Sequence, residues 1–177
     1  MAEEFNLDSV DFITIETIGQ PGHRTFHLQA AQGDYLLTLI IEKEQAAGLA
    51  REFLNLLTEI EEKFNRPTPP GDTSRYDLDL REPILPAFRV AQIGLGYDLE
   101  ADRVVLVLNE LLPEDADHEP RIARMNISRE QVRLLAEHAH KVVAKGRPIC
   151  PNCGRPIDPE GHLCPKSNGH RRPVGWA

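Results

Sequence analysis

Two stretches, Ile41-Glu42-Lys43-Glu44-Gln45 and Ile127-Ser128-Arg129-Glu130-Gln131, resemble each other and indicate how the chain is organised. Each stands where an alternating apolar segment passes into a helical pattern. In the second stretch, Gln131 follows Ser128 by three residues, which is the spacing of a helix capping box. We therefore predict that the chain contains an internal repeat of one β-β-β-α unit.

The first half has the pattern of three strands and a helix. The predicted strands are 10–18, 25–31 and 35–41, and Gly33-Asp34 is a hairpin signal between the last two. A helix is predicted from Lys43 to Phe64, because its apolar residues recur every three or four positions and form one stripe.

The second half repeats this order. Strands are predicted at 88–95, 103–111 and 121–127, and a helix begins at Ser128. Strands that precede helices and are joined by hairpins indicate an α+β fold with an antiparallel sheet. We predict an α+β body over residues 1–146, with halves 10–64 and 87–145. A proline-rich, exposed linker at 65–86 joins the halves, and a small tail follows at 147–177.

Composition indicates a globular protein. The 177 residues are 41% hydrophobic and 27% charged, with a net charge of −8. The start of the sequence is acidic and lacks the apolar region of a signal peptide. The longest aliphatic stretch, 36–41, is too short to cross a bilayer. We expect a cytoplasmic protein that does not bind membranes.

All three cysteines lie in the tail, in a pattern typical of a zinc ribbon. Cys150 and Cys153 form a Cys-x-x-Cys pair followed by glycine, and His162 lies two residues before Cys164. Zinc prefers four such ligands in a tetrahedron. Since a closed set of four leaves no position for water, we predict structural Zn²⁺ rather than a catalytic ion. His170 is an alternative fourth ligand.

Two further groups of residues could bind anions. Arg171 and Arg172 lie near Trp176, and basic residues beside an aromatic ring can bind nucleic acid. His23, Arg24 and His27 lie at a turn and on the following strand, where they could contact phosphate. The alternative for both groups is simple surface exposure.

Several blocks of the sequence are similar to the bacterial domain-of-unknown-function family 3090. They are Gly19-Gln-Pro-Gly-His-Arg-Thr-Phe-His-Leu-Gln-Ala30, Glu42-Lys-Glu-Gln45 and the tail from Cys150 to Arg172. The family pattern has the Cys-x-x-Cys and His-x-Cys pairs, which favours His162 over His170. The resemblance also suggests a protein partner, because family members tend to be encoded beside a phosphomutase-like and a kinase-like protein.

No catalytic constellation stands out in the sequence. We therefore expect a non-catalytic zinc-binding adaptor or binding protein. Two alternatives remain at this point: a nucleic-acid-binding protein that uses the basic tail, and an enzyme of phosphorylated small-molecule metabolism that uses the Gly19–Ala30 segment.

Overall fold

A computed structural model describes residues 2–20, 22–146, 149–155, 157 and 161–166 of the protein. Its helices and strands follow one another along the body. In chain order they are β1 (Glu4–Leu7), β2 (Phe12–Ile18), β3 (Thr25–Gln32), β4 (Tyr35–Ile41), α1 (Lys43–Phe64), β5 (Pro86–Asp98), β6 (Arg103–Glu110), β7 (Ile122–Ile127) and α2 (Arg129–Ala144).

The strands form one sheet in the order β1-β7-β6-β5-β4-β3-β2. The pairs β1–β7 and β4–β5 are parallel, and the other neighbours are antiparallel. The α+β class is therefore confirmed, but the sheet is mixed rather than antiparallel throughout. The parallel β4–β5 pair arises because the chain runs through α1 and a long connection before it returns as β5.

The sheet curls back on itself. Its edge strands β1 and β2 would lie roughly 29 Å apart in a flat sheet of seven strands. Residues 8–11, which join them, span at most roughly 18 Å. The backbone N–H of Val10 donates to Asn126 on β7, and that of Asp11 donates to Ala31 on β3. Consecutive residues thus bond β7 and β3, the strands next to the two edge strands.

The two halves have the same order of elements, β2-β3-β4-α1 and β5-β6-β7-α2. Their strand registers also correspond, since Phe26 pairs with Ile41 where Val104 pairs with Ile127. This correspondence defines equivalent positions in the two halves. The origin of the halves as a repeat stays a prediction.

The glutamine of each stretch links its helix to a neighbouring segment of backbone by hydrogen bonds. Gln45 Oε1 accepts from the Glu42 N–H at 2.7 Å, and Gln45 Nε2 donates to the Val90 carbonyl at 3.1 Å. Gln131 likewise accepts from the Ser128 N–H at 3.0 Å and donates to the Val10 carbonyl at 2.9 Å. Each glutamine thus binds its helix N-terminus and a backbone carbonyl outside the helix, on β5 for Gln45 and on the segment between β1 and β2 for Gln131.

One hydrophobic core holds the body together. The two helices pack against each other, and α2 also contacts β2 and β6. Their apolar stripes bury the inward strand residues, such as Ile15, Leu28, Leu39 and Leu106. The described helices include none that is long and apolar enough to cross a membrane.

Several observed elements differ from the sequence predictions; β2, for example, begins at Phe12 rather than at residue 10. Strand β1 was not predicted, β5 is longer than 88–95, and Ser128 caps α2 instead of beginning it. Most side chains of the connection after α1 are exposed, but its backbone is held by α2. Arg129 donates to the Pro67 carbonyl at 2.9 Å and Arg133 to the Thr68 carbonyl at 3.0 Å.

Candidate metal centre

The first two cysteines of the tail lie in a tight turn. The Gly154 N–H donates to the Cys150 carbonyl at 2.9 Å, and the Cys150 N–H donates to the Arg155 carbonyl at 2.8 Å. Gly154 has φ of +73°, a left-handed conformation that favours glycine. The glycine after Cys153 therefore lets the chain fold back, so that both thiols face the same side.

A second arm brings the other two candidate ligands to this turn. Gly161 has φ of +94° immediately before His162. Cys150 Sγ lies 3.8 Å from Cys164 Sγ, and Cys153 Sγ lies 3.6 Å from His162 Nε2. One possible ligand atom from each of the four residues falls within 4.8 Å of the others. This arrangement is compatible with a metal site.

The cysteines are thiols rather than disulfide partners. The 3.8 Å between the sulfur atoms of Cys150 and Cys164 is almost twice the bond length of about 2.05 Å. Backbone hydrogen bonds, that from Cys153 above all, lower the pKa of the Cys150 thiol, whereas burial raises the pKa of the Cys164 thiol. The turn around Cys150 thus stabilises the thiolate, which is the metal-binding form, relative to an unperturbed cysteine.

Among the described residues of the tail, little apolar surface is buried besides the candidate ligands. Its small buried cluster consists of Cys150, Ile157 and Cys164, with Cys153 packed against it. The Nδ1 atom of His162 is buried and has no hydrogen-bond partner within the part of the chain that the structure describes. So small a cluster contributes little folding energy, which fits a segment that folds around a metal.

Of the anion-binding residues predicted from the sequence, His23, Arg24 and His27 lie within the described residues. His170, Arg171 and Arg172 lie outside the described residues. His23 is exposed, whereas His27 is buried in β3, where its Nδ1 lies 3.1 Å from the Thr25 carbonyl. Burial lowers the pKa of His27. Of these three residues, Arg24 lines a cavity in the described part of the structure.

That cavity contains two basic residues that the sequence analysis did not select, Lys43 and Arg89. Lys43 begins α1, and Arg89 lies on β5, far along the chain from Arg24. The sequence does contain a signal for Lys43, because residues 41–45 resemble residues 127–131 and Lys43 is in the position of Arg129. Nothing in the sequence indicated that Arg89 would lie beside it.

The chain belongs to the family described as "Protein of unknown function (DUF3090)", whose family model matches residues 5–164. The match spans the described body and the tail as far as Cys164, so it includes all four candidate ligands. It confirms the resemblance identified in the sequence. No match was found among curated proteins or among solved structures.

Proposed function

We propose that this protein is a non-catalytic adaptor whose C-terminal tail is held in shape by a structural zinc ion. The observation that carries the proposal is the set of four ligand atoms, from three cysteines and one histidine, that lie within 4.8 Å of one another. The proposal concerns both the identity of the metal and the role of the tail.

The donor set and its spacing support zinc. Zinc binds thiolate sulfur at about 2.3 Å in a tetrahedron, which places two sulfur ligands about 3.8 Å apart. The observed separation of Cys150 Sγ and Cys164 Sγ is 3.8 Å. Three thiolates and one imidazole are also the ligands of many structural zinc sites, whereas calcium and magnesium prefer oxygen.

The closed ligand set supports a structural role. A catalytic zinc ion keeps one position for water or substrate. Here the four side chains supply four donors, and Cys150 and Cys164 are buried with 1% and 5% of their surface exposed. Bound metal would therefore stabilise the turn and the second arm relative to each other.

Two exposed apolar side chains next to the ligands support an adaptor role. Ile149, beside Cys150, is 60% exposed, and Leu163, between His162 and Cys164, is 61% exposed. A metal ion would hold both in a fixed orientation, which lowers the entropy cost of binding a partner. We propose that the partner is another protein, because isolated apolar side chains on a rigid turn suit a protein surface.

The metal can be tested by zinc analysis of the full chain. We expect one zinc ion per chain by inductively coupled plasma mass spectrometry. His162→Ala should lower zinc affinity by at least about tenfold, since one ligand is lost. His170→Ala is the matched control and should retain full zinc. Retention of zinc by His162→Ala, or its loss from His170→Ala, would contradict the proposed ligand set.

The adaptor role can be tested with Leu163→Asp. This variant keeps all four ligands, so it should bind zinc normally while losing the protein partner. The partner would be captured with the wild-type chain, identified, purified and then titrated against both forms. Cys150→Ser should also abolish binding. Unchanged binding of the purified partner to Cys150→Ser would show that the metal centre does not hold its binding surface.

A further inference from the structure

A cavity of about 380 Å³ lies between the start of α1, the turn between β2 and β3, and Gly146, shortly after the end of α2. Its charged lining residues are Arg24, Lys43, Arg89 and Glu42. Three basic side chains thus face the cavity with one acidic side chain, in a protein of net charge −8. A concentration of positive charge in an acidic protein attracts small anions.

Two of the three cations have no acidic partner in the part of the chain that the structure describes. Arg89 is paired with Glu42, at 2.6 Å between Nη1 and Oε1. Neither Arg24 nor Lys43 forms an ion pair with a described carboxylate. A Cβ at Gly146 would lie 3.1 Å from Lys43 Nζ and 3.3 Å from Arg24 Nη2. The two cationic groups therefore flank the same small space, and their repulsion is relieved only by an anion or by water.

Arg24 is held in place for this role by neutral contacts. Its Nη1 donates to the Val142 carbonyl at 3.0 Å, and its guanidinium lies 5.0 Å from the centre of the Phe26 ring. These contacts fix the side chain without neutralising its charge. The face that carries Nη2 remains directed towards Gly146 and Lys43.

At the equivalent place in the second half of the protein, a carboxylate of the chain itself neutralises the cation. By strand register, Asp102 is equivalent to Arg24, because each immediately precedes the strand that begins at Thr25 or Arg103. Arg129 is likewise equivalent to Lys43, since each follows its register-matched isoleucine by two residues. Arg129 binds Asp102 through two hydrogen bonds, of 2.8 and 2.9 Å.

The two halves therefore differ at one decisive position. In the second half, a carboxylate neutralises the cation at the start of the helix. In the first half, the same position holds a second cation, Arg24. The first half thus lacks the internal carboxylate, and an anion from solution can take its place. The positive end of the helix dipole at the start of α1 adds to this attraction.

We propose that this cavity binds the phosphate group of a small phosphomonoester between Arg24 and Lys43, with Arg89 at the rim. A phosphomonoester carries close to two negative charges at neutral pH, which matches two unneutralised cations. Arginine can offer two parallel donors to phosphate, and lysine acts as a point charge. The volume of about 380 Å³ exceeds that of a phosphate group and leaves room for a small organic part.

Calorimetric titration of the full chain with glycerol 3-phosphate and with inorganic phosphate tests the proposal. We expect saturable binding of both, weakened by salt. Lys43→Gln should weaken binding by about tenfold or more, because a charge-assisted hydrogen bond is lost. Lys43 is exposed, so its replacement does not threaten the fold. Lys63→Gln, at the other end of the same helix, is the matched control and should bind like wild type.

A second variant, Arg24→Asp, places a carboxylate where the second half has one. It should abolish phosphate binding while the chain stays folded, as judged by circular dichroism. Three results would overturn the proposal: no saturable binding of either phosphate compound to wild type, equal binding by Lys43→Gln, or equally tight binding of glycerate, which carries a carboxylate instead of the phosphate group.

Discussion

Glu110 and Arg121 illustrate how single residues stabilise the sheet where β6 ends and β7 begins. Arg121 donates from Nη2 at 2.6 Å and from Nε at 2.9 Å to the Glu110 carboxylate. The Glu110 side chain is only 7% exposed. Hydrogen bonds from Arg121 hold the pKa of the Glu110 carboxyl at about 2, below its ordinary value of 4.5. The ionised form is therefore strongly favoured in the folded state.

This lowered pKa predicts a loss of stability in acid. The unfolded chain binds the proton more tightly, so the contribution of Glu110 is complete above pH 4.5 and is lost as the pH falls towards about 2. Glu110→Gln should lower the free energy of unfolding by about 2 kcal/mol at pH 7, and by less at pH 2.5. Urea unfolding at both pH values checks this, with the exposed Glu114→Gln as control. If Glu110→Gln lowered the free energy of unfolding equally at both pH values, the low pKa assigned to Glu110 would be wrong.

At the scale of elements, the helices follow from sequence more directly than the strands. The observed α1 has the predicted bounds. Its 22 residues are long enough for the apolar residues to recur over several turns, which makes the helical pattern easy to recognise. Strand β1 has four residues and too little alternation to be recognised. Its place in the sheet depends on pairing with β7, which is distant in sequence.

The connection after α1 gives a prediction at this scale. A Cβ at Gly71 would lie 2.6 Å from Leu134 Cγ on α2, and Leu134 is 2% exposed, so it cannot move aside freely. Gly71→Ala should therefore lower the free energy of unfolding by about 1–3 kcal/mol. Thermal unfolding and urea titration measure the change.

Gly48 offers the matched control, because the same substitution there should have the opposite effect. It lies within α1, where the nearest atom to an added Cβ is Arg51 Nη2 at 3.8 Å. Alanine has the higher helix propensity by about 1 kcal/mol. Gly48→Ala should therefore leave stability unchanged or raise it. Equal effects of the two substitutions would show that the connection is not packed on α2.

At the scale of the whole molecule, the body and the tail have separate buried clusters. The core of the body contains residues of all seven strands and both helices, whereas the tail cluster contains Cys150, Ile157 and Cys164. Each cluster is stabilised by different means. Burial of apolar surface holds the body, and we propose that metal ligation holds the tail.

Removal of zinc should therefore unfold the tail and leave the body intact. After chelation, we expect hydrogen exchange to accelerate in residues 149–166, while the far-ultraviolet circular dichroism and the main unfolding temperature change little. Addition of zinc should restore protection. Cooperative loss of helical signal on chelation would contradict this separation.

The sequence by itself determined the features that are encoded over short distances. The two helices follow from repeated apolar spacing, and the candidate metal ligands follow from two pairs whose spacing allows both members to bind one ion. The grouping of His162 with the cysteines is also local, because it lies two residues before Cys164 on the same arm. These features need only local chain geometry.

Tertiary structure alone decided the curl of the sheet and the cation cavity. The curl requires consecutive residues, Val10 and Asp11, to bond β7 and β3, which lie far apart in the strand order. The cavity requires Arg24, Lys43 and Arg89 to meet from a turn, a helix start and a distant strand. These long-range contacts depend on strand register across the whole sheet. No single short stretch of sequence encodes the register of all seven strands.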